Sequence, residues 1–265
     1  MYKSENGGKV MNHIVIDENK CIGCGLCEKD CVSSYIYVEN KKAHTNNSGC
    51  IECGHCYAIC PMNAIQMTEY DCEDEPVVSM TEIDSDKLLA AMKSRRSIRQ
   101  FTAQPVEQEK IEKILEAGRY CPTGSNAQNV AFTILGSKQN EAEALCVNLF
   151  RKGKKMGSPF IDFLKRVEIT DDFFFKGAPL VIVVSSKSDI NAGLVSSYME
   201  LVAENLGLGV LYSGFFVACT KLSKELKKMI ELPDGHKVIS CMVMGYSDVK
   251  YQRIPPRKAV QVKVL

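Results

Sequence analysis

Eight cysteines carry the most specific spacing in this chain. Cys21, Cys24, Cys27 and Cys31 read C-x-x-C-x-x-C-x-x-x-C, and Cys50, Cys53, Cys56 and Cys60 repeat the run with an offset of 29 residues at all four positions. A constant offset marks an internal duplication. Thiolates at i, i+3 and i+6 of a tight loop can turn toward one centre and hold three iron corners of a cubane, leaving the fourth corner to a more distant cysteine. Gly23, Gly25 and Gly54 let the backbone wrap closely and aim N–H groups at sulfur. Structural zinc is the alternative, but it prefers two C-x-x-C knuckles around one tetrahedral ion and fits two four-membered runs poorly. The spacing therefore predicts two 4Fe-4S clusters.

Residues 11–70 resemble the bacterial two-cluster ferredoxins. In that family the fourth cysteine of each run ligates the other cluster. The resemblance thus implies one cluster on Cys21, Cys24, Cys27 and Cys60, and a second on Cys50, Cys53, Cys56 and Cys31. Pro61 follows Cys60 as in that family, whereas Val32 follows Cys31, a departure that touches only the local turn. His55 lies inside the second loop and reads as a surface residue, because thiolates already fill the four positions. The elements that must position these loops are short: residues 14–16, 35–38 and 64–67 read as small strands. The acidic, proline-ended stretch 69–76 reads as a linker containing a free Cys72. A ferredoxin-type small α+β domain is expected over residues 1–75.

The whole chain has 265 residues, enough for two cores, and its 45% hydrophobic and 25% charged composition excludes a disordered or fibrous protein. Residues 1–80 carry six basic and twelve acidic side chains, net −6, against +7 for the remainder, so the halves should meet different ligands. Nine of the 13 cysteines fall in the first 72 residues without an apolar leader, which points to metal in a reducing, cytoplasmic compartment rather than to disulfides. The uncharged, glycine-containing run at residues 205–220 is 16 residues with three glycines, short of the roughly 20 a membrane span needs. Neither a membrane nor a nucleic-acid partner is expected.

Residues 76–265 read as a second, α+β layered domain. Residues 84–97 begin with a plausible cap and carry Leu88, Leu89 and Met92. Pro105 is expected to open a second helix with Ile111, Ile114 and Leu115 as its buried stripe, stopped by Pro122. Residues 130–135, 180–184 and 238–244 read as strands, and Val195, Tyr198, Met199, Val202 and Leu206 mark a long helix ending at Gly207. No G-x-G-x-x-G or Walker A pattern is present. Cys121, Cys146, Cys219 and Cys241 lack metal spacing and read as buried small hydrophobes, with Cys121 close enough to the loop described next to suspect reactivity. Phe173, Phe174 and Phe175 could line an entrance or an aromatic core segment.

Basic residues crowd two ends of this domain. Arg95, Arg96, Ser97 and Arg99 can grip a phosphate and an anionic ring edge, as can Arg257 and Lys258 beside Pro255 and Pro256. The loop from Cys121 through Pro122, Thr123, Gly124, Ser125 and Asn126 to Gln128 packs hydroxyl, amide and glycine donors. R-R-S-I-R-x-F from Arg95, C-P-T-G-S-N-A-Q-N from Cys121, G-L-G-V-L-Y-S-G-F-F and I-P-P-R-K together resemble the FMN-dependent nitroreductase family over residues 85–265. The resemblance implies an α/β/α layered sheet forming a homodimer. It also implies FMN bound by Arg95, Arg96, Ser97 and Arg99, by Arg257 and Lys258 at the phosphate, and by Ser213 and Gly214 beside the isoalloxazine. In that family the loop matching Pro122, Thr123, Gly124, Ser125 and Asn126 reaches the flavin of the partner subunit. Many members have Gln-Pro-Trp after it, whereas this chain has Gln128, Asn129 and Val130 and no tryptophan.

Iron–sulfur clusters pass single electrons and a flavin converts singles into pairs. The expected function is a nitroreductase-type flavin oxidoreductase that passes electrons between the clusters and FMN to a small acceptor such as a nitro compound. Arg99 is its expected catalytic residue, stabilising the anionic reduced flavin at N1/O2. The donor is expected to be ferredoxin or NAD(P)H. The alternatives are an NAD(P)H–FMN reductase feeding a protein acceptor and a non-catalytic electron-transfer or flavin-binding module.

Overall fold

The computed structural model describes residues 13–70, 82–155 and 166–265. Cys72 and most of the expected linker lie outside the described residues. The chain divides into a smaller unit, Met1–Thr81 with Gly124–Ala127, and a larger one, Glu82–Thr123 with Gln128–Leu265.

In the smaller unit β1 (Ile14–Ile16) pairs antiparallel with β4 (Ile65–Met67), and β2 (Ile36–Glu39) with β3 (Lys42–Thr45). The third strand, β3, was not expected from the sequence, because Lys42 and His44 interrupt its apolar pattern. Two one-turn helices, α1 (Leu26–Asp30) and α2 (His55–Ile59), each follow a left-handed glycine, Gly25 at φ 76° and Gly54 at φ 72°. Ile14, Tyr35, Ile36, Ala43, Ile65 and Met67 form the core together with Cys27 and Cys56. So small a core depends on whatever the cysteines bind.

The larger unit is built on an antiparallel sheet in the order β5-β6-β8-β7, with β5 at Val130–Ile134, β6 at Leu180–Ser186, β7 at Gly209–Tyr212 and β8 at Lys237–Gly245. Its helices are α3 (Ser85–Ser94), α4 (Gln108–Arg119), α5 (Gln139–Lys155), α6 (Asp189–Asn205), α7 (Gly214–Leu222) and α8 (Lys224–Ile230). Every residue of β6 is buried, and the period of two sorts its side chains into two cores. Val181 and Val183 pack with Phe150, Phe174 and Phe216 on the side of α5 and α7, whereas Ile182 and Val184 pack with Ile114 and Met199 on the side of α4 and α6. The result is the expected three-layer α/β/α arrangement.

Four boundaries and one alternative are corrected. Asp84 caps α3 as expected, its carboxylate accepting from the N–H groups of Asp86 and Lys87 at 3.0 Å each. The helix nevertheless stops at Ser94 rather than residue 97, because Ile98 donates to Val210 O of β7 at 3.0 Å and the chain there must be extended. Pro105 does not open α4; Glu107 is its N-cap, since Val106 first packs into the core beside Ile111 and Leu115. Strands β6 and β8 run past their expected ends, to Ser186 and Gly245. Phe173, Phe174 and Phe175 are all buried in the core, so they line no entrance. The N–H groups of Phe174 and Phe175 donate to Glu143 at 2.8 and 2.9 Å, and burial pushes that carboxyl up from its ordinary value. Cys121, Cys146, Cys219 and Cys241 are buried, and burial raises the Cys121 thiol.

Candidate functional site

The duplication in the sequence becomes a duplication of geometry. One cavity of the smaller unit is lined by Cys21, Cys24 and Cys27 from the first run and Cys60 from the second. The other is lined by Cys50, Cys53 and Cys56 from the second run and Cys31 from the first. Each fourth cysteine receives a backbone hydrogen bond at the same repeat position: Tyr35 N–H donates to Cys31 Sγ at 3.2 Å and Ala64 N–H to Cys60 Sγ at 3.3 Å. The preceding residues, Ser34 and Asn63, both take a left-handed backbone, φ 50° and 47°. Further N–H groups reach Cys21 from Ala43 and Cys50 from Glu52, each at 3.4 Å.

The donor set fits 4Fe-4S clusters and not zinc. A zinc ion with Zn–S near 2.3 Å gathers its sulfurs to within about 4 Å of one another. Among the described residues the group of three potential ligands within 4.8 Å is His13, Glu52 and Glu69, with no trio of cysteines. Sulfurs spread around a wider apolar cavity and approached by N–H donors suit a larger centre. Burial pushes the Cys56 thiol up to about 11, so a thiolate there needs the positive charge of a bound metal centre. His55 is exposed, with Nδ1 3.0 Å from Asp30 Oδ2.

In the larger unit the structure brings some of the expected flavin residues to one sheet edge. Ser97 bridges in parallel to Val210 of β7, and β7 leads directly into Ser213 and Gly214. Ser213 is buried and Gly214 opens α7, whose N-terminus has no side-chain cap and no acidic residue in its first turn. An uncapped helix N-terminus just after the strand that Ser97 and Ile98 join, together with the cations Arg96 and exposed Arg99 on either side of that pair in sequence, is chemistry suited to an anionic cofactor such as FMN. The chain leaving β8 runs beside residues 100–102, with Asp248 N–H donating to Gln100 O at 3.1 Å. Arg257 and Lys258 lie further along that stretch, both exposed.

Two expected residues have partners that spacing could not reveal. Arg95 donates to Glu200 at 3.0 Å, and the hydroxyl of Tyr212 donates to Ser196 O at 2.9 Å and to Glu200 at 3.4 Å. Glu204, one turn further along α6, has a buried Oε1 with no hydrogen-bond partner, and burial with the nearby Glu200 charge raises its carboxyl to about 7. Sequence reasoning missed this acidic pair; the signal was two carboxylates four residues apart on one face of a long helix. In the loop, Pro122, Gly124 and Ser125 are exposed, and Thr123 accepts from Gln128 N–H at 3.0 Å. Asn126, grouped with the smaller unit, donates to Glu52 O at 2.8 Å and Ile51 O at 3.5 Å.

Comparison with known proteins matches both units. The nitroreductase family model matches residues 92–246, and a 4Fe-4S dicluster domain matches residues 13–61. An FMN reductase [NAD(P)H] of Bacillus subtilis is 26% identical over 195 residues, covering 66% of this chain and 72% of the relative. A component of an ion-translocating oxidoreductase complex from Methanosarcina acetivorans is 38% identical over 65 residues, 24% of each chain. A crystal structure of a nitroreductase with bound FMN from Bacteroides fragilis superposes with a TM-score of 0.57 at 22% identity, covering 68% of this chain and 98% of that one. No helix of the described residues is long and apolar enough to cross a membrane. With a matched span of more than half its length, the chain belongs to the nitroreductase family of FMN-dependent oxidoreductases and joins to it an N-terminal 4Fe-4S dicluster domain.

Proposed function

We propose that residues 1–75 hold two 4Fe-4S clusters in crossed ligation and that residues 76–265 bind FMN. In this reading the protein passes electrons between clusters and flavin to reduce a small acceptor such as a nitro compound. The observation that carries it is the sorting of eight cysteines into two cavities of four, three from one run and one from the other, in a nitroreductase-family chain. When bound, the clusters supply single electrons and FMN converts them into the pairs that a two-electron acceptor needs.

The chain's own residues do the rest. Arg96, Ser97, Arg257 and Lys258 hold the FMN phosphate, with Arg95 kept in position by Glu200. Arg99 faces the pyrimidine edge, where its charge stabilises the reduced, anionic ring. Ser213 and Gly214 present backbone to the isoalloxazine, and the loop residues Pro122, Thr123, Gly124 and Ser125 serve the flavin of a second subunit, whereas the Asn126 amide donates to Glu52 O. A homodimer is supported by apolar side chains without cover: Leu88, Leu89 and Met92 on α3 and Ile190, Leu194 and Tyr198 on α6 are all exposed. A cytoplasmic, reducing setting suits the unpaired cysteines.

A second reading runs from NAD(P)H through FMN to the clusters and a protein acceptor, and the names of relatives favour it: an FMN reductase [NAD(P)H] and an NADPH-flavin oxidoreductase of Vibrio harveyi. Steady-state reduction of a nitroaromatic with NADH, NADPH and reduced ferredoxin as competing donors separates the two. Faster turnover with reduced ferredoxin supports the first reading. Turnover with NAD(P)H alone, coupled to ferredoxin reduction, supports the second.

A further inference from the structure

Among the positions at which the two cysteine runs differ, one left-handed site carries glycine in the first loop and a side chain in the second, and that side chain's backbone has a compensating partner. Gly23 in the first cysteine loop and Glu52 in the second occupy equivalent places, 29 residues apart, and both are left-handed, with φ 67° and 54°. Glycine adopts that conformation without penalty, whereas a residue with a Cβ is strained there and holds it only where its surroundings enforce it. At Glu52 the enforcing contact is visible. Asn126 Nδ2 donates to Glu52 O at 2.8 Å, with Ile51 O at 3.5 Å, while Glu52 N–H points at Cys50 Sγ, 3.4 Å away. The Glu52 carboxylate lies 3.4 Å from His13 Nδ1.

We propose that Asn126 is a positioning residue for the cluster held by Cys50, Cys53, Cys56 and Cys31: its amide fixes the left-handed Glu52, and that backbone aims the N–H at Cys50 sulfur. An N–H donor on a ligating sulfur stabilises the added electron and raises the cluster's potential. The other loop reaches the same backbone through Gly23 and has no need of the contact, so Asn126 acts on one cluster and leaves its twin alone. This rests on the dicluster reading, and the test separates the two.

The experiment is a redox titration of the intact, anaerobically purified protein, followed by cluster spectroscopy, across a double-mutant cycle. Asn126→Ala is expected to lower one of the two cluster midpoints and leave the other unchanged. The same substitution is expected to lower that midpoint in the Glu52→Ala background, which loses the carboxylate but keeps the Cβ. In the Glu52→Gly background it is expected to have no effect, because glycine holds the left-handed backbone unaided. If Asn126→Ala fails to retain iron, Asn126→Ala with Glu52→Gly is expected to restore it. No shift, an equal shift of both midpoints, the same shift in the Glu52→Gly background, or no restoration of iron would each overturn the proposal. About eight iron and eight sulfide per unsubstituted chain keep the dicluster reading standing whatever the cycle gives.

Discussion

The smaller unit takes all eight cysteines of its two cavities from 40 consecutive residues, in loops built twice by one rule. The larger unit draws its candidate flavin residues from stretches as far apart as Arg95 and Lys258, and positions them with a sheet buried on both faces. In the first region the ligands are the organising element and the apolar core is slight; in the second the core comes first and the ligand is received by a finished surface. Local chemistry can therefore be lost from the smaller unit only by unfolding it, whereas the larger unit should tolerate loss of its ligand.

The largest expected effect follows from that contrast. Stripping iron with a chelator should abolish the thermal transition of the smaller unit and leave that of the larger one in place, as seen by calorimetry. Survival of both transitions would erase the distinction. Next in size is Phe174→Ala, which empties a site of 2% exposure between Phe150 and Phe173. It should cost the larger unit about 3–5 kcal/mol in denaturant unfolding while iron content stays constant.

Smaller effects sharpen the comparison within the larger unit. Arg257→Ala removes a charge-assisted bond worth about 1.5–3 kcal/mol, so FMN affinity measured by fluorescence should fall roughly ten- to a hundredfold without loss of fold. Unchanged affinity would leave Arg257 an ordinary solvated cation. The smallest effect is on pH. Glu204 has a folded pKa of about 7, raised by burial and by Glu200 above its ordinary value of 4.5, so the native state holds this proton more tightly than the unfolded chain does. Its contribution is fully present below about 4.5 and is lost as pH rises through about 7. Melting temperatures of the wild type should decline across that window, and those of Glu204→Gln should decline less. Parallel curves would show that Glu204 is not the titrating group.

Legibility in the sequence follows the same division. The cysteine cavities could be read because the ligands of each loop are neighbours in sequence and the repeat gives the register of the second from the first. The sheet strands could be read because β6 opens on five apolar residues in a row and β8 is interrupted only by Ser240 between Val238 and Met244. The start of α4 could not, since a proline suited to a helix's first turn was overruled by Val106 entering the core. The Arg95–Glu200 pair joins residues 105 apart, and nothing in local spacing announces it. The family resemblance groups Asn126 with a flavin-facing loop, and only the fold reveals that its amide meets the carbonyl of Glu52.

The central claim is that clusters and flavin of one protein exchange electrons. Rapid mixing of the FMN-loaded, iron-replete protein with a substoichiometric one-electron donor, followed at cluster and flavin wavelengths, tests it most directly. The account predicts that flavin bleaches as the clusters reoxidise, in a first-order phase whose rate does not change with protein concentration. A flavin that stays oxidised while the clusters remain reduced, or a rate that rises in proportion to protein concentration, would contradict it.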